Sequence, residues 1–198
     1  MSNSRVVLAG AAVGVLLLAA VASFAIFLPK ADGDASIGVL PDTLPNDWTA
    51  LDLDAAWASL PADSGTTVGE QSASFRDQNA YANQAISEAG VDGVSRWYAS
   101  ADLTQFASVQ LLDGPGGPLV PYDLSDPDQA LANGLEAKTI VPVAGGTCIE
   151  TSSAGADGSA AVTRRDCQFS NDAGTETVQI TTSSDVDQIM AMADAILD

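Results

Sequence analysis

The chain has 198 residues, with 26 Asp and Glu against 7 Lys and Arg, two cysteines and no histidine, for a formal charge of −19. Without histidine, Ser-His-Asp and Cys-His catalytic arrangements and every histidine-ligated metal centre are excluded. Residues 1–30 hold no acid and carry Arg5 and Lys30, which leaves 26 acids against five bases beyond them, a charge of −21 that repels phosphate backbones and argues against a nucleic-acid partner.

Val6 to Leu28 is an uncharged run of 23 residues, about 34 Å long as a helix and enough to cross a bilayer with some tilt. Ala20-Val21-Ala22 offers a cleavage site before Ser23, in which case the protein is secreted. The apolar run continues through Phe24 to Leu28 past that site, which favours an uncleaved signal-anchor. The expected organisation is a cytoplasmic head over 1–5, a transmembrane signal-anchor over 6–28 in contact with membrane lipid, a linker over 29–39 and an extracytoplasmic domain over 40–198. The bias of Lys and Arg across the span is slight, and orientation rests mainly on a head too short to fold or to signal alone.

Leu40-Pro41 and Leu44-Pro45 punctuate an extended approach to Trp48, and Asp52 to Trp57 reads as a helical turn. Pro61 to Gly69 reads as a loop. Ala82, Ala85, Ile86 and Ala89 recur at helical spacing, so a helix is expected over Asp77–Ala89 with Gly90 as its left-handed cap. Val94–Ser100 and Gln105–Leu112 read as an antiparallel strand pair, ended by the turn Gly114-Pro115-Gly116-Gly117-Pro118. Asp126, Pro127 and Gln129 open a short helix as N-cap, first and third positions, and Gly134 stops it.

Strands are expected over Thr139–Val143, with Pro142 confining it to an edge, and over Thr147–Ser153, Ala160–Phe169 and Glu176–Thr182 as a meander. Asp157-Gly158 is a two-residue hairpin signal, and pairing outward from it opposes residues whose numbers sum to 315. Cys148 then faces Cys167 in a hydrogen-bonded pair with Cα atoms about 5.5 Å apart, within disulfide range. Glu150 faces Arg165 in the same register. One disulfide suits an exported domain, and two buried free thiols are the alternative. Finally, Ser184 and Asp187 form a capping-box-like pair before a helix whose apolar face is Val186, Ile189, Met190, Ala193, Ile196 and Leu197. The order of elements predicts an α+β domain with an antiparallel sheet covered by helices on one face.

Candidate chemistry is sparse. Asp123, Asp126 and Asp128 are weak candidates for a hard cation such as calcium, and helix capping accounts for the last two. Asp32-Gly33-Asp34 lacks the later positions of a calcium loop. The Gly-Pro run is followed by no Gly-Lys-Ser/Thr. Trp48, Trp57, Trp97 and Tyr98 either pack in the core or form a partner patch, and Arg164 and Arg165 point to opposite faces of a strand. No catalytic residue and no cofactor is implied. The expected function is a non-catalytic, membrane-anchored binding module or accessory subunit that contacts another membrane or envelope protein. A small carboxylate- or cation-dependent enzyme is the alternative, and it requires acids converging in one pocket.

In layout, with an N-terminal apolar span, Leu-Pro-x-x-Leu-Pro-x-x-Trp from Leu40 to Trp48, one late cysteine pair and a closing helix, the chain resembles the uncharacterised single-pass exported proteins of high-GC Gram-positive bacteria. The resemblance implies an envelope location and carries over no functional residue.

Overall fold

The computed structural model describes residues 38–61, 65–121, 126–155 and 159–198. The expected signal-anchor over 6–28, Asp123 and the Asp157-Gly158 turn lie outside them. The described strands are β1 (Thr43–Leu44), β2 (Trp48–Ala50), β3 (Gly93–Ala99), β4 (Phe106–Asp113), β5 (Ala137–Val143), β6 (Gly146–Ala154), β7 (Ala160–Ser170) and β8 (Glu176–Thr182). They form one antiparallel sheet in the order β1-β2-β3-β4-β8-β7-β6-β5. A 3-10 helix spans Asp54–Trp57, and the α-helices are α1 (Val68–Glu88), α2 (Pro127–Ala132) and α3 (Val186–Leu197). The domain is therefore α+β with an antiparallel sheet. Among the described residues no helix is long and apolar enough to cross a membrane.

The β3–β4 pair and the β6–β7–β8 meander match the sequence expectation. The meander closes onto the earlier pair because β8 lies beside β4, which pushes β5 to the outer edge. There Pro142 has no ladder bond to lose on its open side. The Leu-Pro approach to Trp48, expected to be merely extended, supplies the opposite edge: β1 and β2 pair through Thr43–Thr49 and Leu44–Trp48.

The helices do not share one face of the sheet, contrary to expectation. On one face Tyr98, Val109, Val178, Ile180, Phe169 and the cysteines pack against Ile189, Met192 and Ala193 of α3. Full burial of side chains the size of Ile189 and Met192 stabilises the fold by about 1.5–3 kcal/mol each. Met192, absent from the expected apolar stripe, is fully buried. On the other face a smaller cluster of Leu51, Ala56, Trp57 and Ala99 is joined by Phe75 of α1 and by Trp97. Phe75 lies 5.6 Å from the Trp57 ring and 6.3 Å from that of Trp97, centroid to centroid. α1 crosses β3 closely at Gly93, where a Cβ would stand 2.7 Å from Leu112 Cδ2 and 3.1 Å from Ile86 Cγ2. A helix with so few large apolar residues covers only a small patch, which is why it sits over the β2–β3 end and leaves the larger core to α3.

Two helix starts differ from the expectation. α1 begins at Val68, not Asp77, because Thr67 and Glu70 form a capping box: Thr67 Oγ1 accepts the Glu70 N–H at 3.2 Å, and Glu70 Oε2 accepts the Thr67 N–H at 2.8 Å. These hydrogen bonds from Thr67 hold the Glu70 carboxyl below its ordinary pKa. α3 is capped by Asp185, which accepts the Gln188 N–H at 2.9 Å. Ser184 does not cap, because its buried hydroxyl donates to Gln105 Oε1 and shares a hydrogen bond with Thr182. α2 starts as expected, with Asp126 accepting from the N–H groups of Asp128 and Gln129, and Gly90 and Gly134 have φ of 72° and 70°.

Cys148 and Cys167 are bonded across β6 and β7, and Glu150 faces Arg165. The sum of 315 holds from Gly146–Phe169 to Thr151–Arg164, but beyond a bulge the pairs Ser152–Val162 to Ala154–Ala160 sum to 314. Thr163 is the extra residue, and its Oγ1 donates to the Thr151 carbonyl at 3.2 Å. Gly155 N–H bonds the Ser159 carbonyl at 2.7 Å, and alternation counted from that pair through the bulge puts the cysteines in a non-hydrogen-bonded position. Their Cα atoms are accordingly 4.0 Å apart, closer than the 5.5 Å class expected.

The disulfide closes a loop with a sequence separation of 19. Replacing both cysteines with alanine is expected to lower unfolding free energy by about 3 kcal/mol, measured by urea titration, and the native protein should resist thiol alkylation after mild reductant because both cysteines are buried. The Glu70 carboxyl has a lower pKa folded than unfolded, so its capping contribution is fully present above the unfolded value and is lost as pH falls through the folded one. Amide exchange at the start of α1 should therefore accelerate only below the ordinary glutamate range in the wild type, and Glu70→Gln should abolish that pH step.

Candidate functional site

A charged residue stands on the core side of β3. Arg96 lies between Val94 and Tyr98 in the alternation of that strand, opposite Val109, and its side chain is 13% exposed. The guanidinium makes four hydrogen bonds and one further ion pair. Nε and Nη2 hold the two oxygens of Asp52 at 2.9 and 3.1 Å, Nη2 also meets Asp42 Oδ1 at 2.9 Å, and Nη1 donates to the carbonyls of Leu40 and Pro41 at 2.9 and 3.1 Å. Burial works against the Arg96 charge, but the carboxylates of Asp52 and Asp42 that face it outweigh burial and raise the pKa above its ordinary value. Tyr98 completes the clamp by donating to the Pro41 carbonyl at 2.7 Å. Burial pushes its phenol up, opposed by the Arg96 charge, so it stays a neutral donor.

A groove of about 380 Å³ opens beside this clamp at the outer edge of β3. β2 pairs with β3 only at Thr49–Ala99 and Ala50–Tyr98, and Leu51 N–H then bonds the Trp97 carbonyl. By strand alternation the backbone groups of Gly93 and Ser95 also face outward, past the end of β2. Asn83 of α1 takes the Ser95 N–H on its Oδ1 at 2.6 Å. One turn earlier on the same helix face, Asn79 lines the groove at 7% exposure, and its Oδ1 is buried with no hydrogen-bond partner. The opposite wall is Gly38 to Leu40 with Asp42, whose side chain is 73% exposed.

Two further concavities are described. One, of about 660 Å³, lies between the β1–β2 turn, where Asn46 and Asp47 have φ of 63° and 60°, and the segment Ala55–Ser59. The other, of about 360 Å³, lies on the face of the meander opposite α3, bounded by Leu119, Pro121, Lys138, Arg164 and Asp166. The Gly-Pro run forms its edge as a strap: Gln168 Nε2 donates to the Gly117 carbonyl at 2.6 Å and Thr177 Oγ1 to that of Gly114 at 2.9 Å. Arg164 pairs with Asp166 at 2.9 Å, while Arg165 turns to the other face to meet Glu150 at 2.7 Å and the Ser184 carbonyl.

Of the residues singled out in the sequence, Asp126 and Asp128 belong to the start of α2 and are brought to none of these concavities. Among the described residues no group of three or more Asp, Glu or Cys converges in a way that could hold a metal ion. Trp48, Trp57 and Tyr98 are core residues and Trp97 packs on Phe75, so of the two readings of these aromatics core packing is the one the structure shows. Cys148 and Cys167 are structural. The clamp and the groove residues Asn79 and Asn83 carried no motif. One signal was legible: an arginine on the apolar side of Val94-Ser95-Arg96-Trp97-Tyr98 demands buried acceptors.

The chain matches no protein-family model, and comparison with curated proteins and with solved structures returns no match.

Removing Arg96 leaves the Asp52 carboxylate without its partner at a mostly buried position. Arg96→Ala is expected to cost about 3 kcal/mol of unfolding free energy, whereas Arg164→Ala, whose side chain is 54% exposed, should cost less than about 1 kcal/mol. Urea denaturation followed by tryptophan fluorescence distinguishes the two.

Proposed function

We propose that this chain is a membrane-anchored, extracytoplasmic binding module that acts by contact, as an accessory subunit of a membrane complex or as a cell-envelope binding domain of the single-pass exported type. The observation that carries the reading is the β3-edge groove: a concavity lined by Asn79, Asn83 and Asp42 and built against the Arg96 clamp. Such a surface is equipped to hold a ligand. The carboxylates nearest to it, Asp42 and Asp52, are both engaged by Arg96.

Anchoring is supported by the uncharged run from Val6 to Leu28, and an oxidising compartment by the bonded Cys148–Cys167 pair. Under this reading the N-terminus is cytoplasmic and the sheet domain lies outside. Tethering there raises the effective concentration of partners in the same membrane.

The test is to solubilise tagged full-length protein from its native membrane in mild detergent, then to measure the intact mass of the chain and of the particle. A chain retaining residues 1–22, running with a stoichiometric companion, is the expected result. A chain beginning at Ser23 in the soluble fraction overturns the anchor, and an anchored chain running alone overturns the stable-subunit form of the proposal.

A further inference from the structure

We infer that the groove between α1 and the face of β3 opposite α3 binds a sugar unit of a neutral polysaccharide, with Trp97, Asp77 and Tyr81 as its contacts. This site lies on the other flank of α1 from the β3-edge groove and does not depend on it. It goes beyond the reading of the domain as a binding module by naming a class of ligand.

The groove has a volume of about 480 Å³ and is lined by Ser74, Asp77, Gln78, Tyr81 and Ala82 of α1 and by Trp97 of β3. The α1 residues recur at helical spacing and form one flank of the helix, while Asn79 and Asn83 line the groove on the other. The polar groups that face a ligand here are open. Trp97 packs on Phe75, but its Nε1–H makes no hydrogen bond among the described residues and is not buried, and the same holds for the Asp77 carboxylate and the Tyr81 hydroxyl. Tyr81 is 75% exposed and belongs to neither apolar cluster of the domain.

The chemistry of these groups selects the ligand. The indole N–H only donates, the carboxylate only accepts and the phenol does both. An ammonium ion brings donors alone and leaves the indole unmet. A carboxylate or phosphate is repelled by Asp77, the one formal charge of the lining, in a chain that carries −21 beyond residue 30. A hydroxyl donates and accepts, so an array of hydroxyls satisfies all three groups, and the negative face of an aromatic ring suits the C–H groups that a pyranose presents between its hydroxyls. A peptide carries donors and acceptors too, but β3 is paired with β4 and β4 with β8, so the sheet offers no edge for strand addition at this groove. Trp97 faces Ser108 on β4, and Gln110 follows on the same side. Both are uncharged, with side chains that make no hydrogen bond among the described residues and are not buried, so the floor beyond Trp97 offers a hydroxyl and an amide to the next sugar unit.

The experiment uses the full chain in nanodiscs of phosphatidylcholine, a lipid without net charge, and follows the Trp97 indole N–H by nuclear magnetic resonance, assigned as the signal that Trp97→Phe loses. The probes are tetrasaccharides of glucose, mannose, galactose and N-acetylglucosamine, with tetragalacturonate, tetramethylammonium and a capped Ala-Gln-Ala peptide as probes of other classes. The expected result is a saturable shift of that signal with at least one neutral tetrasaccharide, at least about tenfold weaker binding in Tyr81→Ala and in Asp77→Ala, and no shift with tetragalacturonate. Both replaced residues are exposed, and unfolding midpoints equal to that of the wild type verify that the variants fold. The inference is overturned if no neutral tetrasaccharide shifts the signal, if either variant binds as tightly as the wild type, or if tetragalacturonate matches the best neutral sugar. Tetramethylammonium or the peptide binding more tightly than every sugar assigns the groove to a cation or a peptide and overturns it as well. A stoichiometric companion in detergent without any sugar shift sinks this inference and leaves the binding-module reading intact, whereas sugar binding by a chain that begins at Ser23 upholds the inference and overturns the anchor.

Discussion

The guanidinium of Arg96 organises the half of the sheet where the described chain begins. A charge on the inner side of a strand has to be matched or the strand cannot be buried, and here the matching groups come from the segment Leu40–Asp42 and from Asp52 just past β2. Satisfying one side chain therefore draws the leading segment across the sheet, together with Tyr98, which donates to the same Pro41 carbonyl. The β1–β2 hairpin, with Trp48 in the core, follows from that placement. Charge satisfaction and apolar burial act together, since Leu40 and Leu44 are buried beside the clamp.

The second half of the sheet is held by other means. The meander is bridged internally by Cys148–Cys167 and Glu150–Arg165, and α3 seals one face through Ile189, Met192 and Ala193. Its other face is polar, with Thr181 donating to Asp166 and Gln179 to Gln168, and is bordered by the Gly114–Pro121 strap. One face of the sheet is thus a continuous core while the opposite face is shared between α1 and polar residues. That asymmetry gives α1 an edge to flank, and the β3-edge groove lies where β2 is short and Asn83 of the helix takes over the Ser95 N–H past Leu51.

Legibility followed the range of the interactions. Alternation in Val94–Ser100 and Gln105–Leu112, proline at an edge and Asp-Pro at a helix start are local preferences, and the corresponding elements match closely. Errors arose where a local signal was overridden or left unused. Thr67 and Glu70 spell a capping box, but no apolar stripe follows them and the segment read as a loop. Ser184 is a good cap by type, yet a buried network with Gln105 and Thr182 claims its hydroxyl. The cysteine pairing is correct while its spacing class is not, because the bulge at Thr163 shifts alternation without undoing the register of Cys148 and Cys167.

The sequence by itself determined the acidity of the chain, its lack of histidine chemistry, a 23-residue uncharged run long enough to span a bilayer, the α+β class, most strands and the cysteine pair. These properties depend on composition or on neighbours within a few residues. Only the tertiary structure decided that α1 and α3 lie on opposite faces, that Arg96 gathers Leu40, Pro41, Asp42 and Asp52, and that Asn83 takes the Ser95 N–H past the end of β2. The reason is separation along the chain. Arg96 and the Leu40 carbonyl are 56 residues apart, and no local pattern records which distant acceptor a buried donor will meet once the core has chosen the path of the backbone.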